Sequence, residues 1–502
     1  MTTIKKIDFI DSVANALQFI SYYHSEDFIL AMSRALEIER SPEAKDAILQ
    51  ILTNSKLAAY GNRPICQDTG IVTVFVKQGM DLKWDSDKTI EEMVNCGVRN
   101  AYLDEINPLR ASIVKNPISE RINTKDNSPA VVHINLVPGD SLDISIAAKG
   151  AGSENKAVLG MLNPSDSIVD FILDEIPKMG AGWCPPGVLG VGIGGTADKA
   201  MVMAKESLFE SIDIQELIKK GPSNKIESLR VKLYEKINRL GIGAQGLGGL
   251  TTVLDVKIKD YPTHAASLPV AIIPNCAANR HVHFRMRGDG AVKLKPPNLE
   301  LWPKTEWSPK ETSTRVNLDT LQKKDLENFT LGQSLLLSGK ILTARDAAHK
   351  KLKDLKDNNQ PLPGGLDLSN RFIYYVGPVD PVGNEVIGPA GPTTSSRMDK
   401  YSSLMLEDYG VIGMIGKAER GKAALESIKK NKVVYLIAIG GAAYLISQAI
   451  KSSKLIAFPE LGMEAIYEFE VKDMPVTLAA NTDGDSLHEE GVKKWNAVLM
   501  KN

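Results

Sequence analysis

The sequence predicts a mixed α/β (α+β) protein of more than one domain, and three observations carry that expectation. The chain has 502 residues, too many to bury around one hydrophobic core. Its first stretch, residues 1–60, repeats apolar positions at helical spacing. Beyond residue 315, strand-like apolar runs alternate with helical segments, the pattern of an α/β layer.

The helical opening contains ILAMSRALEIE and SPEAKDAILQILTNSKLAAYG. Ser41-Pro42 followed by Glu43 is a helix start, with proline in the first turn and an acid near the helix dipole, and Gly61 ends it. RPICQDTG then reads as a turn before the strand IVTVFV. Cys66, Gln67 and Asp68 therefore sit just ahead of a strand, whereas Cys96 lies inside a helical pattern and reads as a structural thiol. Arg110 follows in NPLRASIV. VVHINLVPGDSLDISIAAKGAGSENKA reads as a β-hairpin entering a glycine loop around Gly150, whose amides suit an anion. Cys184 lies in the Gly/Pro-rich loop GWCPPG, ahead of a strand, a tight turn and a helix in GVGIGGTADKAMVMAKESL. The spacing of Gly192, Gly194 and Gly195 does not match a dinucleotide fingerprint.

YPTHAASLPVAIIPNCAANRHVHFR, residues 261–285, holds three of the seven histidines and one of the four cysteines. LPVAIIP reads as a buried strand. His264 ahead of it and Cys276 behind it read as two parts of one site, with Arg280, His281 and His283 beside the same loop. KLKPPNLELWPKTEWSPK is the linker candidate, giving an N-terminal domain over 1–290, a linker over 291–315 and a C-terminal domain over 316–502. That second domain carries Arg345 at the start of a helix, Thr393 and Arg397 in GPTTSSRMDK, and Lys417 in GMIGKA.

Composition excludes several classes. A net charge of -1 leaves no global basic field for nucleic acid. No long uninterrupted apolar run suggests a membrane span, and the N-terminus lacks the pattern of a signal peptide, so a cytoplasmic protein is expected. Four cysteines in so long a chain do not make a disulfide scaffold. Cys66, Cys184 and Cys276 each sit in a loop beside Pro or Gly and lack C-x-x-C pairing, which argues against zinc knuckles and thioredoxin-like chemistry. Three thiolates gathered from three loops suit an iron–sulfur cluster with one iron left open; three buried thiols are the alternative.

The chain closely resembles the class I fumarate hydratases, the iron–sulfur family that includes the two-part L-tartrate dehydratases. The likeness covers nearly the whole chain and rests on RPICQDTG, AKGAGSENK, GWCPPGVLGVGIGGT, YPTHAASLPVAIIPNC and NRHVHF, then LTARDAAHK, YYVGP, GPTTSSRMD and GMIGKA. It implies a fumarase-type α domain followed by a swivelling β/β/α domain, with the active site between them and a homodimer. It implies a [4Fe–4S] cluster on Cys66, Cys184 and Cys276. Gln67, Arg110, Gly150, Arg345, Arg397 and Lys417 match substrate-contacting positions for a small dicarboxylic acid. Thr393 matches the position of the base at the C–H bond, and His264 with Asp68 that of an acid pair on the hydroxyl side. The expected reaction is the reversible hydration of fumarate to (S)-malate, a step of the tricarboxylic acid cycle. The same chemistry on L-tartrate or mesaconate, or an iron- or oxygen-sensing binder, are the alternatives. The single fused chain resembles fumarases more than the tartrate enzymes, which are usually split. Ala151 and Ala157 in the glycine loop, and SSRM in place of AGRM, depart from the family pattern and bear on substrate detail.

Overall fold

A computed structural model describes residues 2–501. Its first half contains two four-stranded sheets. In one, the spatial order is His281–Met286, Leu142–Lys149, Ile71–Gly79 and Val131–Val137. The amphipathic helices Lys6–Tyr22 and Ile90–Tyr102 cover one face, burying Phe9, Val13, Leu17, Val94 and Val98 against Val72, Val74, Ile144 and Ile146. A capping box of Thr89 and Glu92 starts the second helix. Ser41 caps the helix Pro42–Gly61 as its sequence predicts, accepting the Ala44 amide at 3.4 Å.

The expected hairpin is not formed. Val131–Val137 and Leu142–Lys149 both pair with Ile71–Gly79, which lies between them. The connecting turn therefore spans two strand spacings and passes over the end of the central strand. Gly79 permits this: a Cβ there would stand 2.3 Å from the Gly139 carbonyl oxygen. Local turn chemistry marks the reversal of direction but carries no information about a strand inserted from 50 residues upstream.

The second sheet runs Val253–Tyr261, Gly187–Gly194, Leu268–Asn275, Val158–Leu162. The helix Ala197–Ser207 lies directly on its glycine-rich strand, since a Cβ at Gly192 would meet the Ala200 carbonyl oxygen at 2.0 Å. The connection that follows, residues 287–313, contains only the short turn Leu299–Leu301. It is docked rather than free: Trp302 is buried and donates its Nε1–H to Ser55 Oγ at 2.9 Å.

The second half is a seven-stranded sheet. The long strand Ile466–Ala480 pairs with Val434–Ile437, Ile450–Ala457 and Ser334–Thr343, so the sheet curls back on itself. The largest core joins both halves, with Phe28, Met32, Ile48 and Ile51 of the N-terminal helices packed with Leu335, Ile373, Ile415 and Leu436. Asn54, wholly buried, fastens them: its Nδ2 donates to the Ile65 and Gly441 carbonyls at 2.9 Å each. Its Oδ1 accepts the Tyr444 and Leu445 amides at 2.8 and 2.9 Å. Asn54→Ala strands those buried groups and is expected to cost about 2–4 kcal/mol. Chemical denaturation reads this directly, and an unchanged midpoint would contradict the clamp.

Candidate active site

The three loop cysteines converge where the two halves meet. Cys66 follows the long helix ending at Gly61, and its side chain packs with Ala58, Ile65, Ala278 and Cys276. Cys184 adopts a left-handed backbone, φ +58°, which turns the chain into the Gly187–Gly194 strand. Its carbonyl accepts the Ala277 amide at 3.1 Å, so the Cys184 and Cys276 loops are hydrogen-bonded to each other. All cysteines are free thiols. Burial raises the Cys66 thiol, against the pull of Arg280 and Lys417. Cys184 is pushed up to about 11 by burial, opposed by Lys417 and helped by the neighbouring Cys276 and Cys66.

Cations surround these thiols. Lys417 Nζ donates to Cys184 Sγ at 2.9 Å; burial lowers its pKa, but the three thiols outweigh this and hold it above the usual lysine range. Arg110 reaches across, donating to the Gly377 carbonyl, and its Nη2 lies 3.5 Å from Asp68 Oδ1. Burial lowers Arg110 to about 10. Asp68 is raised by burial but more strongly lowered by Arg110, Arg280 and the Ala151 amide, which donates to its Oδ2 at 2.9 Å. Gly150 lies against that carboxylate, 3.0 Å separating Oδ2 from the place a Cβ would take. Gln67 Nε2 donates to the Pro392 carbonyl at 3.2 Å, next to Thr393. Thr393 is itself buried, its amide donating to the Tyr375 carbonyl at 2.7 Å and its carbonyl accepting the Lys417 amide at 3.2 Å. Arg345 Nη2 pairs with Glu464 at 3.3 Å, and Arg397 Nη2 with Asp346 at 2.6 Å.

One expected grouping is absent. His264 lies on the exposed turn before the Leu268–Asn275 strand, its Nδ1 accepting only the Ala266 amide at 3.1 Å. That strand is eight residues long, so His264 and Cys276 are at its opposite ends, roughly 25 Å apart at about 3.3 Å per residue. The pair of His264 with Asp68 is not formed within this chain.

Several residues of the pocket were given no role by the sequence. Gln245, at φ +55°, donates Nε2 to the Pro185 and Gly440 carbonyls and accepts the Gly440 amide, bracing the Cys184 loop against the second half. Thr394 places Oγ1 3.7 Å from where a Gly152 Cβ would lie, beside Lys417 Nζ at 3.2 Å from the same point. Glu419 accepts the Ala181 amide at 2.8 Å, and Arg280 acts electrostatically on Cys66. Thr394 and Arg280 lie inside the motifs GPTTSSRMD and NRHVHF, and the glycine loop around Gln245 shows as a break in periodicity, whereas Glu419 has no such signal.

The donor set suits a polynuclear cluster. Among the described residues no group of three or more His, Cys, Asp or Glu side chains is disposed to hold a metal ion. An iron–sulfur cluster asks instead for one thiolate per iron. The Nε atoms of Arg110, Arg280, Arg345 and Arg397 are buried without a hydrogen-bond partner, a costly arrangement for the protein alone and a fitting one around anionic groups. A separate cavity of about 380 Å³, lined by Leu30, Arg34, Asp213 and Tyr234 among others, contains none of these residues.

The second half also holds an acid-sensitive residue. His349 is fully buried between Tyr375 and Tyr401, near Asp346, Glu464 and Arg420, and its ring hydrogen-bonds the Arg345 carbonyl at 2.8 Å. Burial lowers it from 6.5 to about 4. Between those values the unfolded chain binds more protons than the folded one, so this residue's contribution is intact above pH 6.5 and is lost as pH falls towards 4. Denaturation at pH 7 and pH 5 is expected to show that loss, and to show less of it in His349→Gln. An equal loss in the variant would remove His349 from the acid response.

Fold and pocket together define a two-part α/β protein with a cation-rich, three-thiol pocket between its halves. Residues 10–285 match the fumarate hydratase (fumerase) family, and residues 288–491 match the fumarase C-terminus. The anaerobic class I fumarate hydratase of Escherichia coli K12 is 30% identical, over 95% of this chain and 90% of its own. Fumarate hydratase 2 of Leishmania major is 32% identical, over 95% of this chain and 85% of its own. A Methanocaldococcus jannaschii protein named for the α subunit of L(+)-tartrate dehydratase is 40% identical, over 56% of this chain and 99% of its own. The chain belongs to the class I fumarate hydratase family and is a hydro-lyase. No helix among the described residues is long and apolar enough to cross a membrane.

Proposed function

We propose that this chain catalyses the reversible hydration of fumarate to (S)-malate in the pocket between its halves. The observation that carries this reading is the convergence of Cys66, Cys184 and Cys276 from three distant loops beside Lys417 and Arg110. These thiols would hold a [4Fe–4S] cluster, which when bound supplies a Lewis acid for the hydroxyl that is added or lost.

The chain's own groups bind and orient the substrate. Arg110, Arg345, Arg397 and Lys417 offer four cations to two carboxylates, with Gln67 and the amides after Gly150 as neutral donors. The Nε–H groups of Arg110, Arg345 and Arg397 are buried and make no hydrogen bond, so they are available to a bound carboxylate. Thr393 would accept the proton from the carbon next to the hydroxyl-bearing one, while Asp68 orders Arg110 and the Ala151 amide. The acid role of His264 is open only to a second copy of the chain, in keeping with the expected homodimer. The division into 1–290, 291–315 and 316–502, with the last part able to swivel, belongs to this proposal, as does a cytoplasmic setting in the tricarboxylic acid cycle.

The likeness to the tartrate dehydratase α subunit favours L-tartrate as a second substrate class. The test is anaerobic loading with iron and sulfide, then loss of fumarate absorbance, with L-tartrate and mesaconate run in parallel. Fumarate turnover that depends on loading supports the proposal. Turnover of another acid alone keeps the chemistry and changes the substrate, and a loaded protein silent on all three acids points to a sensor.

A further inference from the structure

Lys156 closes the glycine loop and has no part in the chemistry proposed so far. Its amide donates to the Ser153 carbonyl at 3.2 Å, so the short helical turn Ala151–Glu154 fixes the root of the side chain. The side chain is partly buried and lies against Gly182, two residues ahead of Cys184. A Cβ at Gly182 would stand 2.9 Å from Lys156 Cε and 3.6 Å from its Nζ. The glycine therefore leaves the space that the lysine stem fills. Among the described residues the Lys156 ammonium makes no hydrogen bond and no ion pair.

The space beside that ammonium belongs to the pocket. Thr394 reaches both of the glycines that border it. Its Cγ2 lies 3.5 Å from the Gly182 Cβ point, and its Oγ1 lies 3.7 Å from the corresponding point of Gly152. Lys417 Nζ stands 3.2 Å from that Gly152 point, and the Gly182 carbonyl oxygen 3.0 Å from it. Two ammonium groups and one hydroxyl thus border a space into which neither glycine projects a side chain. Thr394 and Lys417 are also paired through their backbones. The nearby acids are engaged elsewhere: Asp68 with Arg110 and the Ala151 amide, and Glu419 with the Ala181 amide. Two cations in one partly enclosed space, with no carboxylate between them, favour an anion there.

We infer that Lys156 is a further substrate-contacting residue: its ammonium, with the Thr394 hydroxyl, takes one carboxylate of a four-carbon diacid on the glycine-loop side of the pocket. The inference rests on the hydration proposed above and adds a fifth cation to Arg110, Arg345, Arg397 and Lys417. Lysine suits the position, because an ammonium on a flexible stem follows a carboxylate without the fixed geometry that a guanidinium demands. The carboxylate is charged in the substrate and in the transition state alike. Losing its partner therefore weakens binding of both, which is read in KM rather than in kcat.

The test compares wild type, Lys156→Met and Lys156→Arg, each loaded anaerobically with iron and sulfide and assayed for iron content and melting temperature. Two further quantities are read: kcat and KM for fumarate, and calorimetric binding of succinate, a four-carbon diacid without the double bond. Lys156→Met is expected to raise KM and to weaken succinate binding by about tenfold or more, the range of a charge-assisted hydrogen bond. Its kcat, iron content and melting temperature are expected to stay close to wild type. Lys156→Arg keeps the charge and the donors and is expected to recover most of the binding. Unchanged KM and succinate binding in a loaded Lys156→Met protein would overturn the inference. Iron content and melting temperature that fall equally in both variants would overturn it too, since that is the behaviour of a residue that only packs the Cys184 loop. A loaded wild type that binds succinate but leaves fumarate unchanged refutes the fumarate reading alone. Succinate binding then decides for Lys156 by itself: weaker in Lys156→Met supports the contact, and equal overturns it. A wild type that binds no succinate refutes the contact.

Discussion

Cys276→Ser is expected to abolish both iron–sulfur retention and hydration of fumarate, the largest single effect in this protein. Serine is nearly isosteric, so the packing of Cys276 with Cys66, Ala58, Ile65 and Ala278 is preserved. The amide of residue 276 still donates to Asn275 Oδ1, a 3.1 Å bond that does not involve the side chain. What is lost is the soft thiolate that iron requires; an alcohol stays protonated and binds iron poorly. Two thiols then face a cluster that the reading above assigns three. The expected signature is iron content near zero after loading, with iron-free melting within a degree or two of wild type. A variant with normal iron and normal turnover would remove Cys276 as a ligand. Cys96→Ser is the control: that thiol sits inside the Ile90–Tyr102 helix, accepts from Arg99 Nη2 at 3.2 Å, and should be silent.

Thr393→Ala is expected to lower turnover by about 10²–10⁴-fold while leaving iron content unchanged. The bonds that hold Thr393 are made by its backbone, to Tyr375 and Lys417, and alanine keeps them. The substitution removes the hydroxyl and the γ-methyl, and the change is seen in kcat if the hydroxyl handles the proton. A threonine is a weak base, and nearby cations favour its ionised form. Lys417 follows Thr393 in the backbone pairing, and Arg397 stands one turn on, partly neutralised by Asp346. If the hydroxyl only binds a carboxylate, KM rises and kcat hardly moves. Thr394→Ala belongs in the same experiment, because Thr394 is the hydroxyl nearest the Gly152 amide loop. A kcat effect in Thr394→Ala alone would transfer the role by one residue.

Much of this was legible in the sequence, and the failures have a common cause. The Ser41-Pro42 helix start, the Ile71–Gly79 and Leu268–Asn275 strands and the turn into the Ala197–Ser207 helix are set by neighbours within a few residues. Those effects survive in any one-dimensional reading. The hairpin of Val131–Lys149 failed because the strand between its arms comes from Ile71–Gly79. Within one chain His264 and Cys276 stand at opposite ends of a strand, because a strand is the most extended path between two residues. Asn54 and Gln245 left little trace, since their work is done on backbone groups hundreds of residues away.

The sequence by itself determined the helices and strands, the loop setting of Cys66, Cys184 and Cys276, and the family, because these depend on residue type, local spacing and long ordered motifs. Tertiary structure alone decided that the three thiols meet, that Asp68 pairs with Arg110 within the chain while His264 lies on an exposed turn, and that the Nε of Arg280 is buried without a hydrogen bond. Those are questions of distance and of which charges share a low-dielectric space. Coulomb energy and desolvation act through space, and a chain position says nothing about them until the sheets have set the distances.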